Sequence, residues 1–357
     1  MDMTRFVRFL TGVSFSLFFS CVLLSAQERD YKFAYWGHPD QMVLAQAQFM
    51  FDQVDKALDA CPPVPERSGV EPEGKDASRL LLRRSTLLNL DAVIHQFARP
   101  DTLSSLLGFM DSRIGKVAAD LRRPMKKGMK VYKLYNASFI FRTRSVTIAF
   151  DLNTRDGTLS SPSAIKPVVD GCDALFISHN HSDHFDNKVV DLFLDSGKQV
   201  FAPEGYRPDD SRITHIRHDG CYRFTAVLGG KEVPVTVFPG HQDDLQNNVY
   251  VVHLPGGFKV AHLGDQTWEP SELEWISKVK DEEPGIDVMT LNGWTKEADA
   301  FVRGFSPRLV VSSHENELAH SVDHREGYWM TIHRFGNLYR LPVPFVVMAW
   351  GESYSVR

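Results

Sequence analysis

Apolar residues along this chain recur with two different periods, and the change from one to the other falls near residue 129. From Gln41 to Ala60 they return at Val43, Ala47, Met50, Val54 and Leu58, the three-to-four spacing of one helical face. Leu80–Phe97 and Leu103–Leu121 repeat that spacing and are read as two more helices. Between the first two, the stretch from Pro62 to Asp76 is crowded with proline, glycine and charge, which predicts a loop. Helical additions of this kind ordinarily serve packing, so residues 27–128 are expected to pad the outside of a sheet rather than cap a site. Beyond Met129 short β-branched and aromatic runs take over. Ala174–Ile177, Val235–Phe238, Phe258–Ala261 and Arg308–Val311 each read as a buried strand.

The chemistry gathers where those strands end. His179-Asn180-His181-Ser182-Asp183-His184 places three imidazoles and a carboxylate directly behind Ala174–Ile177. Zinc, iron and manganese all accept neutral imidazole together with carboxylate. Along an extended backbone, alternate spacing sends His179 and His181 one way while Asp183 and His184 turn toward a neighbouring position. A lone surface histidine is ordinarily just solvated. Four metal-capable side chains at fixed spacing are costly to bury together unless a cation bridges them. The other strands supply more candidates. Val235–Phe238 leads through Pro239-Gly240, turn residues expected to stop the strand, to His241; Phe258–Ala261 runs into His262-Leu263-Gly264-Asp265; Arg308–Val311 leads through Ser312-Ser313 to His314. His320 and His324 compete with His314 by proximity, and His314 is preferred because it alone ends an apolar strand.

Taken in order, these residues resemble the ligand series of the metallo-β-lactamase superfamily: the HxHxDH signature as His179, His181, Asp183 and His184, then His241, Asp265 and His314. The resemblance runs from about Met129 to the C-terminus. It takes in an opening hairpin at Phe139–Phe141 and Val146–Asp151, then Asn247–Tyr250, Ile286–Met289, the Asn292-Gly293-Trp294 turn and a helical stretch near Glu297–Phe305. The order is most similar to the branch containing ascorbate-6-phosphate lactonase and N-acyl-phosphatidylethanolamine phospholipase D. It implies an α/β fold, a four-layer αββα sandwich over residues 129–357, with two antiparallel-rich sheets face to face and the ligand loops at one edge. It further implies that His179, His181 and His241 hold one divalent metal, that Asp183, His184 and His314 hold a second, and that Asp265 bridges them. Zinc is the first expectation, with manganese and iron as the others. Two departures stand out: Asn136 where family members carry a histidine in the opening strand, and Ser312-Ser313-His314 where they carry a Pro-x-His approach. Neither is expected to touch the metal set.

Such a centre implies hydrolysis by a metal-bridging hydroxide on an ester, lactone, amide or phosphodiester, with Asp183 and Asp265 as the catalytic carboxylates. Asp183 would orient the hydroxide and accept its proton. Asp151, at a strand end, is a candidate anchor for a ligand imidazole. Trp268 and Trp294 are candidate pocket walls; Gln242–Asn247 and His320–His324 are candidate contacts for a small-molecule or lipid-like substrate. Aspartate rather than cysteine at 265 argues against the thiolate-using zinc β-lactamases, and His181 rather than glutamate against the flavodiiron oxidoreductases. Two alternatives stay open: a mononuclear iron oxidoreductase of the persulfide dioxygenase type, and an inactive secreted metal-binding protein.

Composition narrows the partners. With 357 residues, 43% of them hydrophobic, the chain can bury a substantial core. Its net charge of −5 argues against a nucleic-acid partner, which calls for a basic footprint. Residues 1–26 read as a secretory signal peptide: a basic start with Arg5 and Arg8, an apolar core from Phe9 to Leu24, and the small pair Ser25-Ala26 for cleavage. A periplasmic or secreted bacterial location follows, with no stable membrane span after cleavage; a retained membrane anchor is the competing reading. Cleavage leaves Cys61, Cys172 and Cys221, none at a ligand position.

Overall fold

The computed structural model describes residues 39–71, 73–96, 103–217 and 219–356. The expected signal peptide at 1–26 and the predicted helix end at Phe97 lie outside the described residues. Two compact units divide between Phe49 and Met50; the first contributes only the opening of helix α1 (Pro39–Ala60) to the described residues. Helices α2 (Gly74–Ile94) and α3 (Ser104–Leu121) form where the apolar period puts them. α2 begins inside the stretch read as a loop, because no proline or glycine follows Gly74 to interrupt it.

Among the described residues, fourteen strands form two seven-stranded sheets. The first holds β1 (Met129–Lys133), β2 (Phe139–Arg142), β3 (Thr147–Phe150), β4 (Ala174–Phe176), β5 (Gln199–Pro203), β6 (Ile213–Ile216) and, at its other edge, β14 (Glu352–Val356), in the order β14-β1-β2-β3-β4-β5-β6. The second holds β7 (Tyr222–Leu228), β8 (Lys231–Gln242), β9 (Leu245–Leu254), β10 (Phe258–His262), β11 (Val288–Asn292), β12 (Leu309–Ser313) and β13 (Phe345–Val346), in the order β13-β12-β11-β10-β9-β8-β7. Each sheet is antiparallel over one half and parallel over the other. This corrects the expectation of antiparallel-rich sheets. The crossovers β3-α4-β4 and β4-α5-β5, through α4 (Pro162–Asp170) and α5 (Asn187–Asp195), return each strand parallel to the last.

Alternation along each strand sorts its residues between layers. Ile148 and Phe150 of β3, with Ala174 and Phe176 of β4, join Val235, Val237, Tyr250, Val260 and Val311 of the second sheet in a buried core between the sheets. Their neighbours Ala149, Leu175 and Ile177 face the other way, onto Ile114, Val117 and Leu121 of α3 and onto α4 and α5. α3 therefore pads the sheet, as expected. Outside the second sheet, Trp275 of α6 (Pro270–Ile276) stacks on Phe238 at 5.5 Å and meets Phe305 of α8 (Ala298–Phe305). The result is a four-layer αββα sandwich.

α2 does more than pad. Asp91, buried in it, accepts from Asn316 Nδ2 at 2.8 Å and from the backbone N–H groups of Tyr328 and Trp329 at 3.0 and 2.9 Å, at the start of α9 (Tyr328–His333). It thereby pins the segment that follows His314.

Candidate metal centre

One buried carboxylate governs how the chain leaves β4. Asp151, at the end of β3 with φ +46°, accepts from the Ser178 N–H at 2.7 Å and from its hydroxyl at 2.6 Å. Its Oδ2 also meets His184 Nδ1 and His262 Nε2, each at 2.8 Å. Burial favours the neutral acid, yet the imidazoles of His262 and His184 hold this carboxyl below the ordinary carboxylate range. The anchor expected from sequence is in place. It commits Nδ1 of His184 and turns Nε2 inward.

Donor atoms of Asp183, His184, Asp265 and His314 all lie within 4.8 Å of one another. His184 Nε2 stands 3.3 Å from Asp183 Oδ2 and 3.2 Å from Asp265 Oδ1, and it is buried without a hydrogen-bond partner. His314 Nε2 stands 3.1 Å from Asp183 Oδ2 and 3.3 Å from Asp265 Oδ2. Burial opposes charge on both imidazoles, but Asp265 and Asp183 outweigh it, holding His184 well above its usual range and pushing His314 up to about 10. Burial likewise favours the neutral acids at Asp183 and Asp265, yet His184 and His314 hold both well below the carboxylate range. Two protons thus offset two buried carboxylates, and one divalent cation would do the same while releasing them. A convergent nitrogen and oxygen set with an orphaned buried imidazole nitrogen fits such a cation.

Glycine and two strained positions bring these groups together. At Gly264, φ is +54° and an added Cβ would lie 2.3 Å from Asn247 Oδ1, so only glycine lets Asp265 follow β10 so closely. Asn292 Nδ2 and Gln242 Nε2 then hold the two Asp265 oxygens at 2.7 and 3.1 Å. His314 leaves β12 with φ +67°, a conformation rarely held by a residue other than glycine. Lys133 grips this turn from behind, donating to Ser312 O at 3.1 Å and to the Glu315 carboxylate. Asn136, at a tight turn with φ +52°, accepts from the His314 N–H and donates to Asp183 Oδ2 at 3.0 Å. Its contact with Asp183 corrects the expectation that Asn136 stands clear of the metal set. His320 lies with its ring 6.1 Å from that of His314; neither it nor His324 joins the four donors.

The other three expected ligands flank this group. His179 Nε2 and His181 Nδ1 are 3.1 Å apart, and His179 Nδ1 is 3.0 Å from Ser178 Oγ. The Ser178 hydroxyl proton goes to Asp151, so His179 Nδ1 donates and Nε2 keeps its lone pair. Burial and neighbouring His184 push His179 down to about 3, which keeps it neutral. His241 sits inside β8, which runs on to Gln242 instead of stopping at Pro239-Gly240. Gly240 is there for close approach, since an added Cβ would lie 1.7 Å from Gln266 Oε1. Pairing of Asn247 with both Gly240 and His179 sets the end of β8 beside the first loop. His241 Nδ1 meets Glu272 Oε1 at 3.0 Å, and the other Glu272 oxygen accepts from Gln266 and Trp275 at 2.7 and 3.0 Å.

Sequence reasoning passed over His262, Glu272, Asn292 and Lys133 as site residues. His262 had a readable signal, because it ends an apolar run just as His241 and His314 do. Glu272 is 31 positions from His241, Asn292 is 27 from Asp265 and Lys133 is 182 from Glu315, so no local pattern couples them. Of the candidate substrate contacts, Asn247 is fully buried and donates to Leu263 O at 2.9 Å, which makes it a brace. Trp268 and Trp294 are half-buried, 5.6 Å apart, with Trp294 edge-on to His314 at 5.8 Å.

Residues 130–291 match a family model described as the beta-lactamase superfamily domain. No curated protein matches the chain in sequence. Solved structures similar to it include Igni18, a metallo hydrolase from Ignicoccus hospitalis, at 17% identity and TM-score 0.49 over 65% of this chain and 99% of that one. CmlA, a diiron β-hydroxylase from Streptomyces venezuelae, is similar at 12% identity and TM-score 0.47, over 66% of this chain and 55% of that one. Isothiocyanate hydrolase from Delia radicum gut bacteria is similar at 13% identity and TM-score 0.45, over 64% of this chain and 100% of that one.

Proposed function

With residues 130–291 identified as a β-lactamase superfamily domain, we propose that the chain is a dinuclear metal-dependent hydrolase acting on an ester, lactone, amide or phosphodiester of a small-molecule or lipid-like substrate. His179, His181 and His241 would hold one divalent cation and Asp183, His184 and His314 the other, with Asp265 as a ligand available to both; zinc would suit this nitrogen and oxygen set best, with manganese and iron next. Bound there, such cations supply Lewis acidity and make water a nucleophile at neutral pH. The observation that carries the reading is the buried, unpartnered His184 Nε2 facing two carboxylates within 3.3 Å.

The chain's own residues then divide the work. Asn136 fixes Oδ2 of Asp183, leaving Oδ1 to take the proton from the attacking water. Asn292 and Gln242 hold the Asp265 carboxylate in place. Asp151 and Glu272 commit the outer nitrogens of His184 and His241, which fixes their tautomers. Trp268 and Trp294 exclude water from one side of the mouth. The acidic net charge supports a partner other than nucleic acid, and the basic-apolar start supports export through residues 1–26 to a periplasmic or extracellular site.

Metal content and turnover on the same sample test this. Wild type should carry about two zinc or manganese ions per chain, and His181→Ala should lose at least one of them together with activity on an ester, lactone and bis-aryl phosphodiester panel. One iron per chain, or equal rates in both proteins, would overturn it.

A further inference from the structure

A cavity lies at the end of the sandwich away from the metal centre. Its volume is about 800 Å³. Met129, which opens β1, and Phe258, which opens β10, both line it, together with Val356 at the end of β14. The metal-binding side chains follow the other ends of the strands: Asp183 and His184 come after β4, which runs parallel to β1 within its sheet, and Asp265 comes after β10. A ligand held here is not at the hydrolytic centre.

Charge sets this cavity apart. Arg123, Lys126, Lys127, Lys130 and Arg142 line it, and Asp120 is its one carboxylate among the described residues. Part of the wall is fixed. Lys130 pairs with Asp120 at 2.7 Å, and Arg142 donates to the carbonyls of Asp120 and Arg123 at 2.8 and 2.6 Å. The side chains of Arg123, Lys126 and Lys127 have no partner among the described residues and are exposed. An ordinary solvated linker could be this basic. Three features speak against that reading: the lysines converge on a concavity instead of spreading over a convex face, carboxylates are nearly absent from it, and the chain as a whole is acidic at −5. Like charges around one concave wall repel until a multivalent anion sits among them.

We propose that this cavity is a docking site for phosphate-bearing anions, independent of the hydrolytic centre and of the reading given to it. Several phosphate charges are needed to match the cation excess. Lysine ammonium groups meet them as mobile point charges, while the pinned Arg142 and Lys130 form a rigid floor. The same chemistry is offered by a free polyphosphorylated solute and by the headgroups of an anionic bilayer. In the bilayer case the metal edge would face away from the membrane.

The test uses the full chain and two probes: tripolyphosphate by titration calorimetry, and co-sedimentation with vesicles of phosphatidylcholine carrying about 30% phosphatidylglycerol, read against pure phosphatidylcholine. Lys126→Ser/Lys127→Ser is compared with wild type and with Lys278→Ser/Lys280→Ser, two lysines outside the cavity lining. Chelation of bound metal by tripolyphosphate is common to all three proteins and cancels. The double variant should bind about twenty-five-fold more weakly, from a roughly fivefold loss per lysine, and wild-type binding should weaken as salt rises. Loss with tripolyphosphate alone identifies a soluble ligand, and loss of the anionic-vesicle increment alone identifies a bilayer; either supports the site. No binding of either probe to wild type, or equal loss in the Lys278/Lys280 control, overturns it.

Discussion

Lys133→Met probes how the last metal ligand is held. Lys133 and Glu315 are both fully buried, and the ammonium also lies 5.8 and 5.7 Å from the Phe139 and Tyr328 rings. Burial draws the Lys133 pKa down while Glu315 opposes it; Lys133 bonds Glu315 Oε2, and Oε1 has no hydrogen-bond partner. Methionine fills nearly the same volume but leaves Glu315 as an unpaired buried charge and strips a donor from Ser312 O. Breaking a buried pair in this way costs about 3–5 kcal/mol. Lys133→Met/Glu315→Gln removes both charges and should recover most of that loss, a coupling of about 2–3 kcal/mol. Denaturant unfolding of the metal-free proteins measures it. Because Ser312 and Glu315 flank the strained His314, the single variant should also lose one bound metal to a chelator far more readily than the other. Equal stability of wild type and Lys133→Met, or a double variant no better than the single, would refute the reasoning.

Three further outcomes follow from the same geometry. Asp151→Asn should lower metal affinity about 10–100-fold, read by competition with a chelator, because it loosens His184 and leaves one amide hydrogen facing the His262 and Ser178 donors. Asp91 is a pH sensor for stability: burial pushes it up to about 6, so the fold favours its protonated form. That contribution is complete below pH 3.8 and is lost as pH rises through about 6, close to 3 kcal/mol in all. Asp91→Asn should therefore gain on wild type between pH 4 and 7 in paired denaturant melts, and a constant difference across that range would count against the assignment. Gly240→Ala should cost about 1–3 kcal/mol by forcing Gln266 off Glu272, and should release metal from the His241 side while Asp183, His184 and His314 keep theirs.

The seven metal-binding candidates were legible because each sits where an apolar run stops, and such stops are local events in the chain. His179, His181, Asp183 and His184 share one loop; Asp265 and His314 each follow a strand of their own, and His241 lies within the last residues of β8, just past the apolar run Val235–Phe238. The helical start and the strand-rich remainder were legible for the same reason, since period 3.6 and period 2 are written into consecutive residues. The strand stop at Pro239-Gly240 misled because glycine has two uses: it served close packing against Gln266 there, and a turn was the reading sequence favoured.

Sequence by itself determined the types of the candidate donors and their order along the chain, because these depend on spacing within single segments, and the family resemblance those donors carry implied the sandwich. Asp151 apart, which its place at a strand end had marked as an anchor, tertiary structure decided which outer groups orient them. Asp151 gathers Ser178, His184 and His262, Glu272 reaches His241, Asn136 reaches Asp183, and Lys133 and Asp91 brace the turn after β12. Those contacts join residues far apart in the chain, and a hydrogen bond depends on distance in space, which the order of residues does not encode.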